Sequence, residues 1–435
     1  MRKPLLRTLA LLSFLVLLPA RSDALLYIDI NAPGGKRMPV ALPDCYVTGG
    51  DPSLAREIPE TIAGDLSMTG LFDVIHRDAY LERIGPSHFS GTPISFPDWK
   101  LIGAEAVVIG KAEVAGDRIT VEMRLYDSTL GNMMAGRRYT GPRDMVRRIA
   151  HRFANEVLYA FTGVRGVFDT EIAFTARPRG GRGKEIYVIG LDGKELRQVT
   201  NNRSFNLFPR WTPDGKRIAF TSYRTGAPQI HLLDLATGTD RILVRYGNSK
   251  SPGSFSPDGE SLYATMSVKG DSDIYRVPMS GGPPEPVARG WGIEVSPSVS
   301  PDGKRIAFVS DRSGSPQIYV QEVGSGSAVR ISRAGSYSTS PSWSPAGDRI
   351  AFTSLVEGKY AIYTVRPDGS DLREIVSGFG DCIDPSFSPD GRYLVYTYRK
   401  KGYSELKIVS VTGRGGRGLF NGLPDVGSPA WSPAR

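Results

Sequence analysis

Short runs of alternating hydrophobic and polar residues fill the second half of the chain. One unit contains such runs at 298–300, 305–309, 317–320 and 328–331, and a Pro-Asp-Gly turn separates the first two. Alternation with a period of two is typical of half-buried β-strands, and closely spaced Pro and Gly are typical of the turns between them. The pattern therefore predicts four strands in this unit.

The same unit recurs every 44 residues. Its first strand ends in an apolar residue followed by Ser-Pro or Thr-Pro, at Trp211, Phe255, Val299, Trp343, Phe387 and Trp431. Its second strand carries Ile-Ala-Phe or a similar triplet, which begins at Ile172, Ile218, Leu262, Ile306, Ile350 and Leu394. A repeat of about 40–50 residues with four strands has the size of one β-propeller blade.

The two series of motifs are offset at the chain ends, and this offset predicts how the ring closes. The triplet at Ile172 has no Ser-Pro motif before it, and Trp431 has no second strand after it. We therefore expect residues 428–432 to pair beside residues 171–176, which removes the free sheet edges. The prediction for residues 161–435 is a six-bladed all-β propeller closed by the C-terminal strand.

Residues 25–160 lack the repeat and predict a small α+β domain. A helix is expected to begin after Asp51-Pro52 and to end near Gly70, since these residue types favour helix starts and ends. Its inward stripe is Leu54, Ile58, Ile62 and Leu66. Strands are expected at 72–75, 104–114 and 118–126, the last two as a hairpin.

A second amphipathic helix is expected over Pro142–Phe161. Its inward positions are Met145, Ile149, Phe153 and Val157. His151 falls among arginines on the opposite, polar face, where we expect a solvated side chain.

Residues 1–24 have the features of a secretory signal peptide. Basic residues precede an apolar run at 8–20, and Ser22 and Ala24 provide the small residues of a cleavage site. The run is too short to span a bilayer, which needs about 20 residues. Removing the segment changes the formal net charge from +9 to +6. An exported chain is the prediction, which makes a nucleic-acid partner improbable despite the basic charge.

Composition and motifs argue against several classes of protein. The 50 Gly and 32 Pro exclude a helical bundle, because both residues destabilise helices. The chain has no Gly-x-Ser-x-Gly, Walker or His-Glu-x-x-His motif. The Asp residues repeated in the turns are expected to bond their own backbone. A bridge between Cys45 and Cys382 would join two domains and is not expected. We predict no catalytic, cofactor-binding or metal-binding residues.

The loops that lead into the innermost strands should gather at one mouth of the propeller channel. They are the most variable part of the repeat, and aromatic and charged residues there suit protein binding. The candidate residues are Lys250, Trp291, Glu294, Tyr337, Asp381 and Asp384. The alternative, that Trp291 and Tyr337 pack between blades, stays open. The basic run 399–401 is expected to be solubilising, and the Arg-rich loops 177–184 and 413–418 lack the interleaved aromatic residues of an RNA-binding surface.

The chain resembles the TolB family, the periplasmic propeller proteins of the Tol–Pal system. The resemblance covers nearly all of the mature chain. Besides the Ser-Pro-Asp-Gly repeats, it rests on Ile62-Ala-Gly-Asp-Leu66 with Gly70-Leu-Phe72, on the run Trp99–Gly110, on Arg124-Leu-Tyr-Asp127 and on Arg148-Ile-Ala-His151.

The resemblance implies a non-catalytic, monomeric periplasmic adaptor without a cofactor. Its propeller mouth would bind the peptidoglycan-associated lipoprotein Pal, and its mature N-terminal segment would be captured by TolA, in support of outer-membrane invagination and envelope integrity. The segment corresponds to Leu25, Leu26, Tyr27, Ile28, Asp29 and Ile30, whose alternation suits edge pairing with a partner sheet. Two alternatives remain: an exported propeller enzyme that uses Glu294 and Asp384 as paired carboxylates, and a glycan-binding lectin.

Overall fold

A computed structural model describes residues 37–245, 247–268, 270–290, 292–413 and 415–434. The predicted signal peptide and the segment Leu25–Ile30 lie outside the described residues. Among the described residues, no helix combines the length and the apolar character needed to cross a membrane. The described residues form two folded parts, a small α/β domain and a propeller.

The N-terminal domain is a mixed six-stranded sheet covered by helices. Its order is β3-β1-β4-β5-β6 with β2 beside β4; β1, β2 and β3 pair in parallel, and β4 to β6 form an antiparallel meander. The elements are β1 (Met38–Ala41), β2 (Tyr46–Thr48), α1 (Leu54–Met68), β3 (Phe72–Val74), α2 (Phe96–Leu101), β4 (Ala106–Ala115), β5 (Arg118–Asp127), β6 (Asn132–Pro142) and α3 (Val146–Thr162), with 3-10 turns at Arg77–Ala79, Pro86–Phe89 and Arg143–Met145.

The two predicted helices are confirmed, and their apolar stripes cover the sheet. All four predicted residues of α1 are buried, as are the three predicted residues that fall in α3. Met145 lies in the 3-10 turn before α3 and is partly buried. Gly70 and Gly163 follow the helix ends at φ 69° and 67°, a left-handed conformation that glycine adopts without a Cβ clash. The sequence did not predict β1, β2 and β6.

The second domain is a six-bladed propeller, as predicted. Five blades each contain four consecutive antiparallel strands, ordered from the channel outwards. They are blade 1, β10–β13 (Asn206–Trp211, Arg217–Ser222, Gln229–Asp234, Asp240–Val244); blade 2, β14–β17 (Lys250–Phe255, Ser261–Ser267, Ser272–Pro278, Glu285–Ala288); blade 3, β18–β21 (Glu294–Val299, Arg305–Ser310, Gln317–Glu322, Ala328–Arg330); blade 4, β22–β25 (Tyr337–Trp343, Ile350–Val356, Lys359–Val365, Arg373–Val376); and blade 5, β26–β29 (Asp381–Phe387, Tyr393–Lys400, Tyr403–Ser410, Arg417–Phe420).

The sixth blade joins the two ends of the propeller sequence. It consists of β7 (Glu171–Ala176), β8 (Glu185–Gly190) and β9 (Arg197–Gln198), with β30 (Gly427–Trp431) as the innermost strand. Trp431 lies opposite Ile172 in the antiparallel ladder, and its indole Nε1 donates to Thr170 Oγ1 at 2.8 Å. The predicted closure by the C-terminal strand is confirmed.

The Asp of each Ser-Pro-Asp-Gly turn has the predicted structural role. Asp302 Oδ1 accepts bonds from Ser300 Oγ at 2.5 Å and from the backbone N–H of Lys304 at 3.1 Å. Blade 4 has Ala346 at this position, and there Asp348 accepts from Ser344 Oγ at 2.7 Å. The carboxylate thus closes the turn between the first two strands of a blade.

The prediction that His151 is solvated is wrong. Its side chain is buried where α3 meets the propeller, with Nδ1 2.6 Å from Asp65 Oδ2 and Nε2 3.4 Å from Asp192 Oδ2. Arg147 bonds the same Asp192 and reaches Glu57 at 3.3 Å. Asp192 belongs to the loop between β8 and β9, which the amphipathic pattern of α3 alone could not reveal. The polar face of this helix is therefore a domain interface.

The electrostatics of this interface favour a charged histidine. Burial opposes the charge on His151, but its hydrogen bonds to Asp192 and Asp65 outweigh burial and raise its pKa to about 9. Burial raises the pKa of Asp65 to about 6, even though His151 bonds to it. Arg417 of blade 5 adds a bond to the carbonyl of Leu191 at 2.9 Å. The two domains share one apolar cluster around this network.

The two cysteines are both buried and free. Cys45 packs in the N-terminal domain, and Cys382 lies in the innermost strand of blade 5. Burial raises the pKa of the Cys45 thiol to about 12 and that of Cys382 to about 11. The expectation that no bridge joins them is confirmed.

Candidate binding surface at the propeller mouth

One end of the propeller carries a cleft of about 660 Å³ between blade 5, the closing blade and blade 1. In an antiparallel blade, the loop before the first strand and the hairpin between the second and third strands lie at the same end. The cleft is lined by both kinds of segment: the hairpins around Arg179 and Lys400, and the loop 421–428. We call this end of the propeller the mouth.

Two predicted mouth residues are buried supports, not exposed contacts. Lys250 is 4% exposed, and its Nζ donates to the carbonyl of Pro228 at 2.8 Å and to that of Gly247. Glu294 is 0% exposed, and its Oε1 accepts from Ser310 Oγ at 2.9 Å and from Arg312 Nη2 at 3.0 Å. Neither side chain is available to a partner in this structure.

The 44-residue register explains why these two side chains are buried. Their equivalents at the start of the other innermost strands are also buried: Asn206, Ser338, Cys382 and Val426. At this position Lys250 bonds Pro228 of blade 1 and Asn206 bonds Glu185 of the closing blade, so both side chains are buried against the preceding blade. The apolar Cys382 and Val426 at equivalent positions were the signal in the sequence that could have excluded Lys250 and Glu294.

The remaining predicted residues lie nearer the surface. Tyr337 is half-buried, with its ring centroid 6.3 Å from that of Tyr360 in an edge-on contact. Asp381 lies 3.7 Å from Arg399, and Asp384 accepts a bond from Ser340 Oγ at 2.8 Å. Of the five that the structure describes, Asp384 alone lines the cleft. Trp291 lies outside the described residues.

Several exposed aromatic residues at the mouth were missed by the sequence analysis. Phe379 is 88% exposed in the loop before β26, and Lys359 Nζ lies 5.9 Å from its ring centroid. Phe208 and Tyr403 line the cleft, and Phe205 and Tyr223 are exposed in loops of blade 1. The signal was the position of these aromatic residues in the loops that the repeat leaves variable. Exposed aromatic residues at a cleft mark a binding surface.

Basic side chains surround the aromatic residues. Arg179, Lys184, Arg399 and Lys400 line the cleft, with Asp384 and Asp425 as its acids. Arg177 pairs with Asp425, which offsets one of the two carboxylates. Burial lowers the pKa of Lys184. The run 399–401, expected to be solubilising, and the loop 177–184 thus contribute residues to the cleft, which favours an acidic partner.

The cleft opens into the central channel of the propeller. The channel has a volume of about 300 Å³ and is lined by residues of all six innermost strands. Phe208, Asp384 and Ser428 line both spaces. These three residues have positive φ angles of 56°, 56° and 50° at a bulge that interrupts the strand ladder. The bulges turn the backbone at the entrance of the channel.

Comparison with known proteins supports the assignment suggested by this architecture. The family model described as the TolB beta propeller domain matches residues 159–435, and that of the TolB amino-terminal domain matches residues 26–134. The crystal structure of TolB from Acinetobacter baumannii superimposes with a TM-score of 0.79 at 28% identity, covering 92% of this chain and 97% of that one.

Curated relatives match over a shorter part of the chain. The Tol-Pal system protein TolB of Jannaschia sp. is 39% identical over 207 residues, which cover 46% of this chain and 45% of that protein. Its counterpart from Cereibacter sphaeroides is 36% identical over 263 residues, 58% of this chain and 57% of that protein. The chain thus matches about half the length of these relatives. Because the propeller model alone matches more than half of the chain, this protein belongs to the TolB family.

Proposed function

We propose that this chain is a non-catalytic periplasmic adaptor of the Tol–Pal envelope system. In this proposal the propeller mouth holds the lipoprotein Pal, and the mature N-terminal segment Leu25–Ile30 is captured by TolA. The complex would support outer-membrane invagination at cell division and the integrity of the envelope. Relatives named as Tol-Pal system proteins support the proposal.

The observation that carries the proposal is the cleft at the mouth, with its exposed aromatic residues and basic side chains. Aromatic residues supply rigid contact area, and surrounding charges orient the partner and raise the association rate. Tyr403 and Phe208 provide the aromatic surface, while Arg399 and Lys400 provide the charge. A protein surface with acidic groups around an apolar patch would complement it.

The same geometry argues against the enzyme alternative. That alternative needs two carboxylates that reach a substrate at the mouth, and Glu294 and Asp384 were the candidates. Glu294 has no exposed surface and is paired with Arg312 at 3.0 Å. Asp384 is then left without this partner, and Asp425, the other carboxylate of the cleft, is paired with Arg177, whereas general acid–base chemistry on a glycan requires two carboxylates that reach the substrate.

Binding of purified Pal to the mature chain, measured by calorimetry, tests the first half of the proposal. We expect Tyr403→Ala and Phe379→Ala to weaken binding at least about tenfold each, as truncation of an aromatic hot spot does. Leu101→Ala is the matched control, because Leu101 is 78% exposed on the N-terminal domain and should leave affinity unchanged. Failure of the wild-type chain to bind Pal, with tight binding to glycan strands instead, would favour the lectin.

Deletion of residues 25–31 tests the second half. We expect the shortened chain to lose capture by TolA and to bind Pal as the full mature chain does, because the segment and the mouth are separate parts of the sequence. A TolA interaction that survives the deletion would contradict the role given to this segment.

A further inference from the structure

The central channel has a lining that the proposed adaptor role does not use. Each innermost strand places one residue at the same register position in the channel wall. This residue comes directly before the apolar residue that ends the strand. These residues, 44 apart, are Arg210, Ser254, Ser298, Ser342, Ser386 and Ala430. Four hydroxyls and one guanidinium thus stand in a ring around a space of about 300 Å³.

Each of the four serines has an unused donor. Its Oγ accepts the backbone N–H of the next blade, as Ser254 does from Val299 at 2.8 Å and Ser298 from Trp343 at 3.1 Å. Ser342 and Ser386 repeat the contact with Phe387 and Trp431. A hydroxyl that accepts one bond can still donate its own proton. Among the described residues, none of the four donates to a protein acceptor.

Arg210 replaces the serine in blade 1 and adds a positive charge. Its Nε donates to the carbonyl of Gly253 at 2.7 Å and its Nη1 to that of Pro209 at 2.9 Å, which fixes the guanidinium in place. Its Nη2 donates to no atom of the described residues. Within those residues no carboxylate lies within ion-pair distance of it, and Asp384, which lines the same channel, is bonded by Ser340.

The surroundings make this charge costly without a partner. Burial lowers the pKa of Arg210, and Asp384 offsets this only in part. A guanidinium surrounded by protein gains most from an anion that accepts two of its N–H groups. Hydroxyl donors around it would satisfy the other oxygens of such an anion.

We propose that the channel is a binding site for a small oxyanion, held by Arg210 and by the hydroxyls of the serine ring. Phosphate-type and carboxylate anions share the required chemistry, a negative charge spread over oxygens that accept hydrogen bonds. The inference goes beyond the adaptor role and does not depend on it. It concerns the interior of the channel, whereas the proposed Pal surface is the outer mouth.

Titration of the mature chain with inorganic phosphate, at constant ionic strength set by chloride, tests the site. We expect saturable binding with one anion per chain, weakened at least about tenfold in Arg210→Gln. Arg179→Gln is the matched control, since Arg179 lies in the outer cleft and outside the channel lining. A parallel titration with malonate distinguishes the two anions: the tighter one identifies the preferred class.

A second measurement does not depend on a variant. Bound phosphate should protect Arg210 of the wild-type chain from phenylglyoxal, an arginine reagent, as read from the modified peptides by mass spectrometry. The proposal is overturned if neither anion binds, if Arg179→Gln abolishes binding while Arg210→Gln does not, or if saturating anion leaves the modification of Arg210 unchanged.

Discussion

His151 is a single side chain whose charge is stabilised by carboxylates from both domains. Its ring nitrogens meet Asp65 of α1 and Asp192 of the propeller, and Arg147 and Arg417 flank the same carboxylates. An unpaired buried charge is unfavourable, so each group depends on the others. Between about pH 6.5 and 9, His151 therefore keeps a proton in the folded protein that it loses in the unfolded chain.

This proton makes stability depend on pH. The pKa of His151 is about 9 in the folded protein against 6.5 for the free side chain, so its contribution is complete below pH 6.5 and is lost as the pH rises through 9. Asp192, whose pKa is lowered by His151 and Arg147 despite burial, stays ionised in this window. Asp65, with a pKa of about 6, is mostly ionised at pH 6.5 and becomes fully ionised above it. We expect a loss of up to about 3 kcal/mol of unfolding free energy between pH 6.5 and 9.5.

Urea unfolding at the two pH values, with wild-type and His151→Gln chains, measures the effect. The variant should be less stable at pH 6.5 and should lose little more at pH 9.5. His76→Gln is the control, because His76 is an exposed histidine of the same domain and its variant should keep the wild-type pH dependence. Equal pH dependence in wild type and His151→Gln would remove His151 as the cause.

At the scale of elements, the turn between the first two strands is the part of the blade that recurs most regularly along the chain. In blade 5, Asp390 accepts from Ser388 Oγ at 2.6 Å, from Arg392 N at 3.1 Å and from Arg392 Nε at 2.7 Å. Blade 4 lacks this carboxylate and uses Asp348 instead. The turn therefore needs a carboxylate that accepts from the serine hydroxyl, but this carboxylate can come from either of two positions in the turn.

Substitutions at Asp390 and Ala346 test whether the turn needs one carboxylate as acceptor and gains little from a second. Asp390→Ala should lower the unfolding free energy by about 1–3 kcal/mol, because it leaves Ser388 and the N–H of Arg392 without their acceptor. Ala346→Asp should change it by less than about 0.5 kcal/mol, since Asp348 already accepts from Ser344. Thermal and urea unfolding of both variants checks the difference. An equal effect of the two changes would show that the carboxylate does not close the turn.

The elements that sequence predicted are those that repeat or alternate. Six copies of one pattern predicted the blades, and two apolar stripes predicted α1 and α3. Strand β6 was missed because most of its residues are exposed or half-exposed, which leaves no alternation to detect. Strands β1 and β2 are only 4 and 3 residues long and are held by pairing with β4.

The candidate site was less predictable than the fold, for a physical reason. Whether a charged side chain faces solvent depends on what packs against it. Lys250 is buried against Pro228 of blade 1, and Glu294 is buried beside Ser310 and Arg312. Phe379 lies in the loop before β26, and Tyr403 lies at the start of β28. They form part of one binding surface only because the folded propeller brings these segments to the same end. Asp384 lines the cleft because it lies in the bulge that turns towards it, and its role in binding stays a prediction.

At the scale of the molecule, the N-terminal domain and the mouth lie at opposite ends of the propeller. The domain contacts the loop at Asp192 through Arg147 and the start of β29 at Arg417 through Met68, both at the end away from the mouth. The closing blade and blade 5 reach both ends and share one apolar cluster with the domain. Because β30 completes the closing blade, ring closure holds together the part of the propeller that contacts both the domain and the cleft.

Removal of residues 428–435 tests how much ring closure stabilises the propeller. The truncation deletes most of β30, including Trp431, which is buried against the closing blade. A buried Trp alone contributes about 3–5 kcal/mol, so we expect the thermal unfolding midpoint of the whole propeller to fall by about 10 °C or more. The loss should affect all blades together, because an open ring exposes two sheet edges.

Two full-length variants control the truncation. Trp431→Ala should reproduce most of the loss, and Trp431→Phe should cost more than Trp343→Phe. Trp431 loses its 2.8 Å bond to Thr170, whereas the indole N–H of Trp343 is buried without an acceptor among the described residues. The midpoints are read by scanning calorimetry at one scan rate. A truncated chain that melts with the wild type would show that blade 6 is held without its innermost strand.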